Sequence, residues 1–369
     1  MFRNTPFVQF TLHNLLKTAL LPVIAFALSA SFMSIACTPD QFFALMDNLE
    51  KQEAAAEAAR VEIFVEDSLL PAINAVAEEF RKIRPECQII LEPSSSKMAV
   101  RKIVDMGRVP DILITRGIYL IQTEGITPDY SPFFIQFARD RLVIAFTDAS
   151  TGGSGITETA WPAMLSQKKA RFGRVSRDSD PLGVYTDFMA SLMTAMKLWP
   201  AEVSPEIWAK SFSRDQNRVD PLDLVRQLET GNMDYAFIYS SLAQSHRLKT
   251  LELPSPANLG VESLSWKEGR DGSVDLSVAG RRFRVPASPI YAVACVMSES
   301  AHPKSSAAFI RYLVGDGQKH LAAGNLIPYT IEGLVEQKTA QQSSQQPEQQ
   351  AAAADSSSVK SRPELVDQK

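Results

Sequence analysis

Asp180 opens the hexapeptide DPLGVY, and the residues after it, TDFMASLMTAMKLW, carry apolar side chains at helical spacing. An Asp before Pro suits a helix start: the carboxylate accepts from a free N–H of the first turn, and Pro at the next position has no N–H to satisfy. The same carboxylate at the mouth of a cleft would instead hold a ligand. Local sequence leaves both readings open. Three other polar stretches share this setting. Glu66-Asp67-Ser68, the EPSSSK run around Ser96, and Thr115-Arg116-Gly117 each follow an apolar run. Singly each is an ordinary helix cap. Three of them at successive strand ends of one sheet would converge on one spot, where free N–H groups of helix N-termini suit an anion.

The elements that must position these residues alternate in type. Arg60 to Val65 reads as a strand, followed by a helix capped by Ser68 with Ile73, Val76, Ala77, Phe80 and Ile83 on one face. Gln88 to Leu91 is a second strand, Lys97 to Met106 a helix, and Asp111 to Thr115 a third strand. Strand–helix alternation implies an α/β fold with a parallel sheet and right-handed crossovers. In such sheets ligands bind beyond the carboxyl ends of the strands. SVDLSVAGRRFRV, residues 273–285, has the alternation of a hairpin.

With 369 residues, 45% of them hydrophobic, the chain can bury a sizeable core and divide into about two domains. A net charge of -4 and scattered Lys and Arg offer no basic field, so nucleic acid is not an expected partner. The four His, at 13, 246, 302 and 320, have no metal-ligand spacing. A Ser without a nearby base is a weak nucleophile, so neither catalysis nor a cofactor is expected. Cys87 and Cys295 lie in apolar, strand-like settings and read as buried free thiols. Met189, Met193 and Met196, at helical spacing, read as core.

The ends are of different character. Residues 1–36 read as an export signal: Arg3 and Lys17 precede an uncharged stretch from Thr18 to Ala36 that ends SIAC. Cys37 is then the acylated first residue of a lipoprotein; the alternative is an uncleaved signal anchor. Both tether the chain outside the cytoplasm. Residues 37–59 form a helix-favouring spacer, and residues 338–369, rich in Gln, Ala and Ser, read as a disordered tail.

Residues 61–115, FARDRLVIAFTD at 137–148, SRDSDPLGVYTDFMASL at 176–192, QLETGNMDYAFIYSSLAQSHRLKTLELP at 227–254 and PIYAVACV at 289–296 together resemble the tungstate/molybdate-binding proteins of ABC importers, in the branch with two metal-ligating carboxylates. The resemblance implies a two-lobed, periplasmic-binding-protein-like (type II) fold with two strand crossovers. Lobe 1 would comprise 60–146 and 289–337, and lobe 2 would comprise 147–288, the first crossover following LVIAFTD. It implies Asp180 and Glu229 as metal-coordinating carboxylates. Asp67, Ser68, Ser96, Thr115, Leu182 and Tyr239 would stand around the oxo groups. Glu229 is also unusual locally, because it ends a helix where the dipole disfavours negative charge. Hard carboxylate oxygens suit a hexavalent metal that can expand to six-coordination, which sulfate and phosphate do not offer. The implied partners are an ABC permease with its ATPase, served by a monomeric, membrane-anchored lipoprotein.

The chain departs from that pattern in three places. Glu66-Asp67 stands where the family commonly has small residues, Thr115-Arg116 stands where a Ser is common, and Tyr291 is shifted by one. Arg116 either offsets the added acid charge or is a solvated side chain. Two alternatives follow: the same scaffold tuned to a different anion or small polar solute, or a surface lipoprotein with a sensory or adhesive role.

Overall fold

The computed structural model describes residues 60–329 apart from 168, 200–207, 209–210, 213–216, 262–271 and 279, together with Ala44, Met46 and Asp47. All of these fall in one compact unit. The expected signal, Cys37 and the C-terminal tail lie outside the described residues.

Two sheets organise the chain. The first has six strands in the order β13 (Ile327–Pro328), β4 (Ile135–Asp140), β12 (Ile290–Val296), β3 (Ile112–Arg116), β1 (Arg60–Glu66) and β2 (Gln88–Ser94). β1 runs parallel to β2 and β3, whereas β12 runs antiparallel to both β3 and β4. The sheet is therefore mixed rather than all parallel. The reason is topological: β4 leaves towards the second lobe, and β12 comes back from it in the opposite direction. Helices α1 (Leu70–Ile83) and α8 (Pro303–Val314) cover one face, where Phe80 meets Phe309 edge-on at 5.4 Å between ring centres. Ala72, Ile73, Val76, Ala77 and Phe80 form the buried stripe of α1. Ile83, the last residue of that helix, projects to solvent.

The second sheet has five strands in the order β7 (Asn217–Arg218), β6 (Phe172–Val175), β8 (Tyr235–Tyr239), β5 (Leu142–Phe146) and β9 (Lys249–Glu252). β6 runs parallel to β8, and β5 antiparallel to it. The hairpin β10 (Val274–Val278) and β11 (Arg281–Val285) stands apart from this sheet. The chain changes sheet at Arg141, the single residue between β4 and β5, which is one strand earlier than the sequence suggests. All five residues of LVIAF are buried, and such a run fits the centre of either sheet. Its pairing with Tyr235–Tyr239 places it in the second lobe. The first lobe thus begins as 60–140, and the chain returns to it between β11 and β12.

Cys87 and Cys295 are buried and free, and burial pushes the Cys295 thiol up to about 12. Met189 and Met193 are buried, whereas Met196 at the end of its helix is partly exposed.

Candidate interlobe solute site

The carboxyl ends of β1, β3 and β4 face the second lobe, and each ends in a charged residue: Glu66, Arg116 and Asp140. Arg116 is fully buried. Its Nη1 donates to Glu66 Oε2 at 2.8 Å and to the Ser68 hydroxyl; its Nη2 donates to Asp140 Oδ2 at 2.8 Å and to Ser241 Oγ at 3.0 Å. Ser241 is in the first turn of α7 (Ser240–Ser245) in the second lobe, and the guanidinium also lies over the ring of Tyr239, the last residue of β8. Burial works against the guanidinium charge, but Glu66 and Asp140 outweigh it and raise Arg116 above its ordinary value. Such a group is tolerable in the interior because both carboxylates and two hydroxyls engage its terminal nitrogens.

The serines expected here are present but already engaged. Ser68 does not cap a helix. Glu66 does, its Oε1 accepting from Ser68 N at 3.2 Å, because the chain first makes a single tight turn, Asp67–Leu69, before α1. Ser96 opens α2 (Ser96–Val104), with Ser95 as its cap, and the Ser96 hydroxyl accepts from Arg116 N at 3.3 Å. Thr115 is buried and donates to the Arg116 carbonyl at 3.2 Å. Asp67 is half-buried and feels the charge of Asp220, which caps α6 (Pro221–Glu229). Burial first, then Glu66 and Asp220, push its carboxyl up to about 6.

Asp180 caps α5 (Pro181–Ala195) by accepting from Leu182 N at 3.0 Å through Oδ1, so the Leu182 N–H is used within the cap. The second oxygen, Oδ2, is buried and has no hydrogen-bond partner. Burial first, then the Glu66 carboxylate, push this carboxyl well above the usual range; the Leu182 N–H and Arg116 pull the other way without prevailing. Two phenols share this environment. The hydroxyls of Tyr185 and Tyr239 are buried without hydrogen-bond partners, as is Arg116 Nε. Burial and then Asp180 raise the Tyr239 phenol; burial likewise raises Tyr185, where Arg116 lowers and Asp180 adds. A cavity of about 30 Å³ lies against Asp180, between Lys97 and Tyr119 of the first lobe and Pro181 and Leu276 of the second. It has room for about one water, so a larger solute requires the lobes to part.

Glu229 is not part of this cluster. Its side chain is 48% exposed and pairs with His246 Nδ1 at 3.3 Å. Asp180 follows the carboxyl end of β6, whereas Glu229 ends a helix that runs back to the amino end of the parallel β8. Arg171, just before β6, bonds Gly231 O and Asp234 at that same amino edge. The two carboxylates thus stand at opposite ends of the lobe, and solvent together with His246 accounts for the acid at the helix end. Sequence reasoning also missed Asp140, Tyr185 and Ser241. A signal for Asp140 exists in FARDR, where an acid interrupts two apolar strands.

The sulfate-binding protein SubI from Mycobacterium tuberculosis superposes with a TM-score of 0.51 at 14% identity, covering 73% of this chain and 87% of that one, which shows the fold: two lobes of type II architecture. The molybdate/tungstate-binding protein WtpA of Thermococcus kodakarensis is 29% identical over 277 residues, 66% of this chain and 77% of the relative. That of Pyrococcus abyssi is 28% identical over 323 residues, 78% of this chain and 92% of the relative. The model of the bacterial extracellular solute-binding protein family matches residues 61–323, which takes in both lobes and every side chain of the cluster just described. By that match the chain belongs to the bacterial extracellular solute-binding proteins.

Proposed function

We propose that this chain is the solute-binding component of an ABC importer, that it captures molybdate or tungstate between its lobes, and that it delivers the anion to a permease driven by an ATPase. The observation that carries the reading is Asp180 Oδ2, a carboxylate oxygen buried between the lobes with no partner of its own. Leaving such a group unpaired is costly, and its retention makes sense if a solute completes it. A hard hexavalent metal centre is a suitable acceptor of that oxygen, and the relatives named for molybdate and tungstate point to the same class. Arg116 supplies the only buried guanidinium among the described residues of the cluster, and its charge favours an anion.

Calorimetric titration with tungstate, molybdate and sulfate tests the reading: the first two bind and sulfate does not. No heat with either metal oxyanion overturns it. Acylation at Cys37 belongs to the same proposal; labelled fatty acid incorporated by the wild type and lost in Cys37→Ala supports it, and unchanged labelling rejects it.

One observation favours a second reading. Glu66, Asp67, Asp180 and Asp220 crowd the same region, more acid than one guanidinium offsets, which suits a small polar solute without negative charge. Binding of such a solute in place of the oxyanions would select it.

A further inference from the structure

Tyr185 lies in the second turn of α5, the helix that Asp180 caps, and both its ring and its hydroxyl are buried. The ring has ample reason to be there: it packs edge-on against Tyr119 of the first lobe at 6.4 Å, Phe188 at 6.0 Å and Tyr239 at 6.4 Å. The hydroxyl has none. A phenylalanine would fill the same space without burying a polar atom, and the Gly117 peptide N–H approaches the oxygen but falls outside hydrogen-bonding geometry. The same is true of the Tyr239 hydroxyl and of Arg116 Nε, whose two terminal nitrogens are both committed to carboxylates. These orphans are not scattered. Arg116 lies over the Tyr239 ring, Tyr239 meets Tyr185, and Asp180 is an electrostatic neighbour of all three. An unpaired buried donor is disfavoured, and three beside one unpaired carboxyl oxygen describe a binding set rather than a packing error.

We propose that Tyr185, with Tyr239 and the Nε–H of Arg116, contacts the solute directly and determines its specificity. The set presents three donors, two O–H and one N–H, around the carboxyl of Asp180. Its solute is a compact molecule with acceptor oxygens on several sides and a centre that a carboxylate oxygen can approach. A tetrahedral metal oxyanion meets that description, and a cation or a solute lacking several acceptors does not. The inference rests on the reading of the cleft as an oxyanion site, and it adds the residues that distinguish one solute from another. Arg116 has two duties: its terminal nitrogens hold the two lobes' polar groups, and its remaining N–H faces the solute.

The test is Tyr185→Phe, which removes one oxygen and keeps the ring. Tungstate and molybdate affinity falls about tenfold to a hundredfold, the range for losing a hydrogen bond to a charged group, while the melting temperature without solute stays the same or rises. Tyr239→Phe behaves alike, and Tyr312→Phe, on the outer face of the first lobe, leaves binding unchanged. The tyrosine difference spectrum on adding tungstate provides a second measurement: it is present in the wild type and reduced in each cleft variant. Wild-type binding with Tyr185→Phe within twofold, or an equal fall in solute-free melting temperature and affinity, overturns this inference alone. No oxyanion binding by the wild type overturns both it and the proposed function.

Discussion

The guanidinium carbon of Arg116 lies 4.0 Å from the centre of the Tyr239 ring, the first residue rising from β3 of one lobe and the second from β8 of the other. This cation–π contact joins an ion-pair set that already spans the lobes through Asp140, which accepts from the Ser241 N–H at 3.1 Å. The positive charge is thus held by groups that belong to different halves of the molecule.

Removing that charge leaves Glu66 and Asp140 buried and unpaired. Arg116→Met is therefore expected to destabilise the protein by about 3–5 kcal/mol, the usual cost of breaking a buried pair from one side. Arg116→Lys should recover only part of this, since a single ammonium cannot bridge two carboxylates as a guanidinium does. Urea denaturation of both variants checks the order.

Asp180→Asn keeps a cap acceptor for Leu182 N, so the melting temperature without solute should hold or rise as an unpaired buried acid is removed. Tungstate affinity should fall at least a hundredfold, because a neutral amide is a poor ligand for a hexavalent metal. Glu229→Gln should leave affinity unchanged and cost well under 1 kcal/mol, as exposed pairs do. Titration of the two variants side by side distinguishes their roles, and a loss in Glu229→Gln would place that carboxylate at the solute.

Asp67 gives the stability a pH dependence. Its carboxyl is raised from 3.8 to about 6, so the native state holds a proton that the unfolded chain has released between those values. Stability from this group is fully present below about pH 4, falls as pH rises towards 6, and is flat above. Asp67→Asn should remove that decline and stabilise the protein at pH 7 by about 1–2 kcal/mol, discounted for the solvent contact of a half-buried side chain. Melting curves from pH 4 to 7 read the difference.

Gly117 has φ +87°, and a Cβ built there would stand 3.3 Å from Pro181 and 3.2 Å from the Tyr119 ring. Gly117→Ala should cost about 1–2 kcal/mol from backbone strain alone, since L residues rarely adopt that region. Both contacts are tight enough that Tyr119 and Pro181 must shift slightly, and urea denaturation of the variant measures the total cost.

Much of the fold can be read from the sequence because its elements are periodic. Arg60–Glu66, the buried stripe of α1 and the hairpin near 273–285 all follow from spacing. LVIAF cannot be assigned to a lobe that way: with every residue buried, only its partners distinguish one sheet from another. Asp180 as a cap is likewise local, and the DP pair announces it. Arg116 is different. An arginine after an apolar strand has the sequence pattern of a solvated side chain, and its partners Glu66 and Asp140 lie 50 and 24 residues away. Glu229 shows the converse: a negative charge at a helix end looks purposeful until its exposure and its pairing with His246 are known.

The Asp180 carboxyl has one more consequence. Its raised pKa comes chiefly from being shut away from water, and the space beside it is walled by both lobes. When the lobes separate and water reaches it, the main cause of the shift is removed and the acid moves back towards the ordinary range. The hydrogen ion thereby favours the shut state over the open one: more acidic surroundings hold the cleft closed, and alkaline ones loosen it.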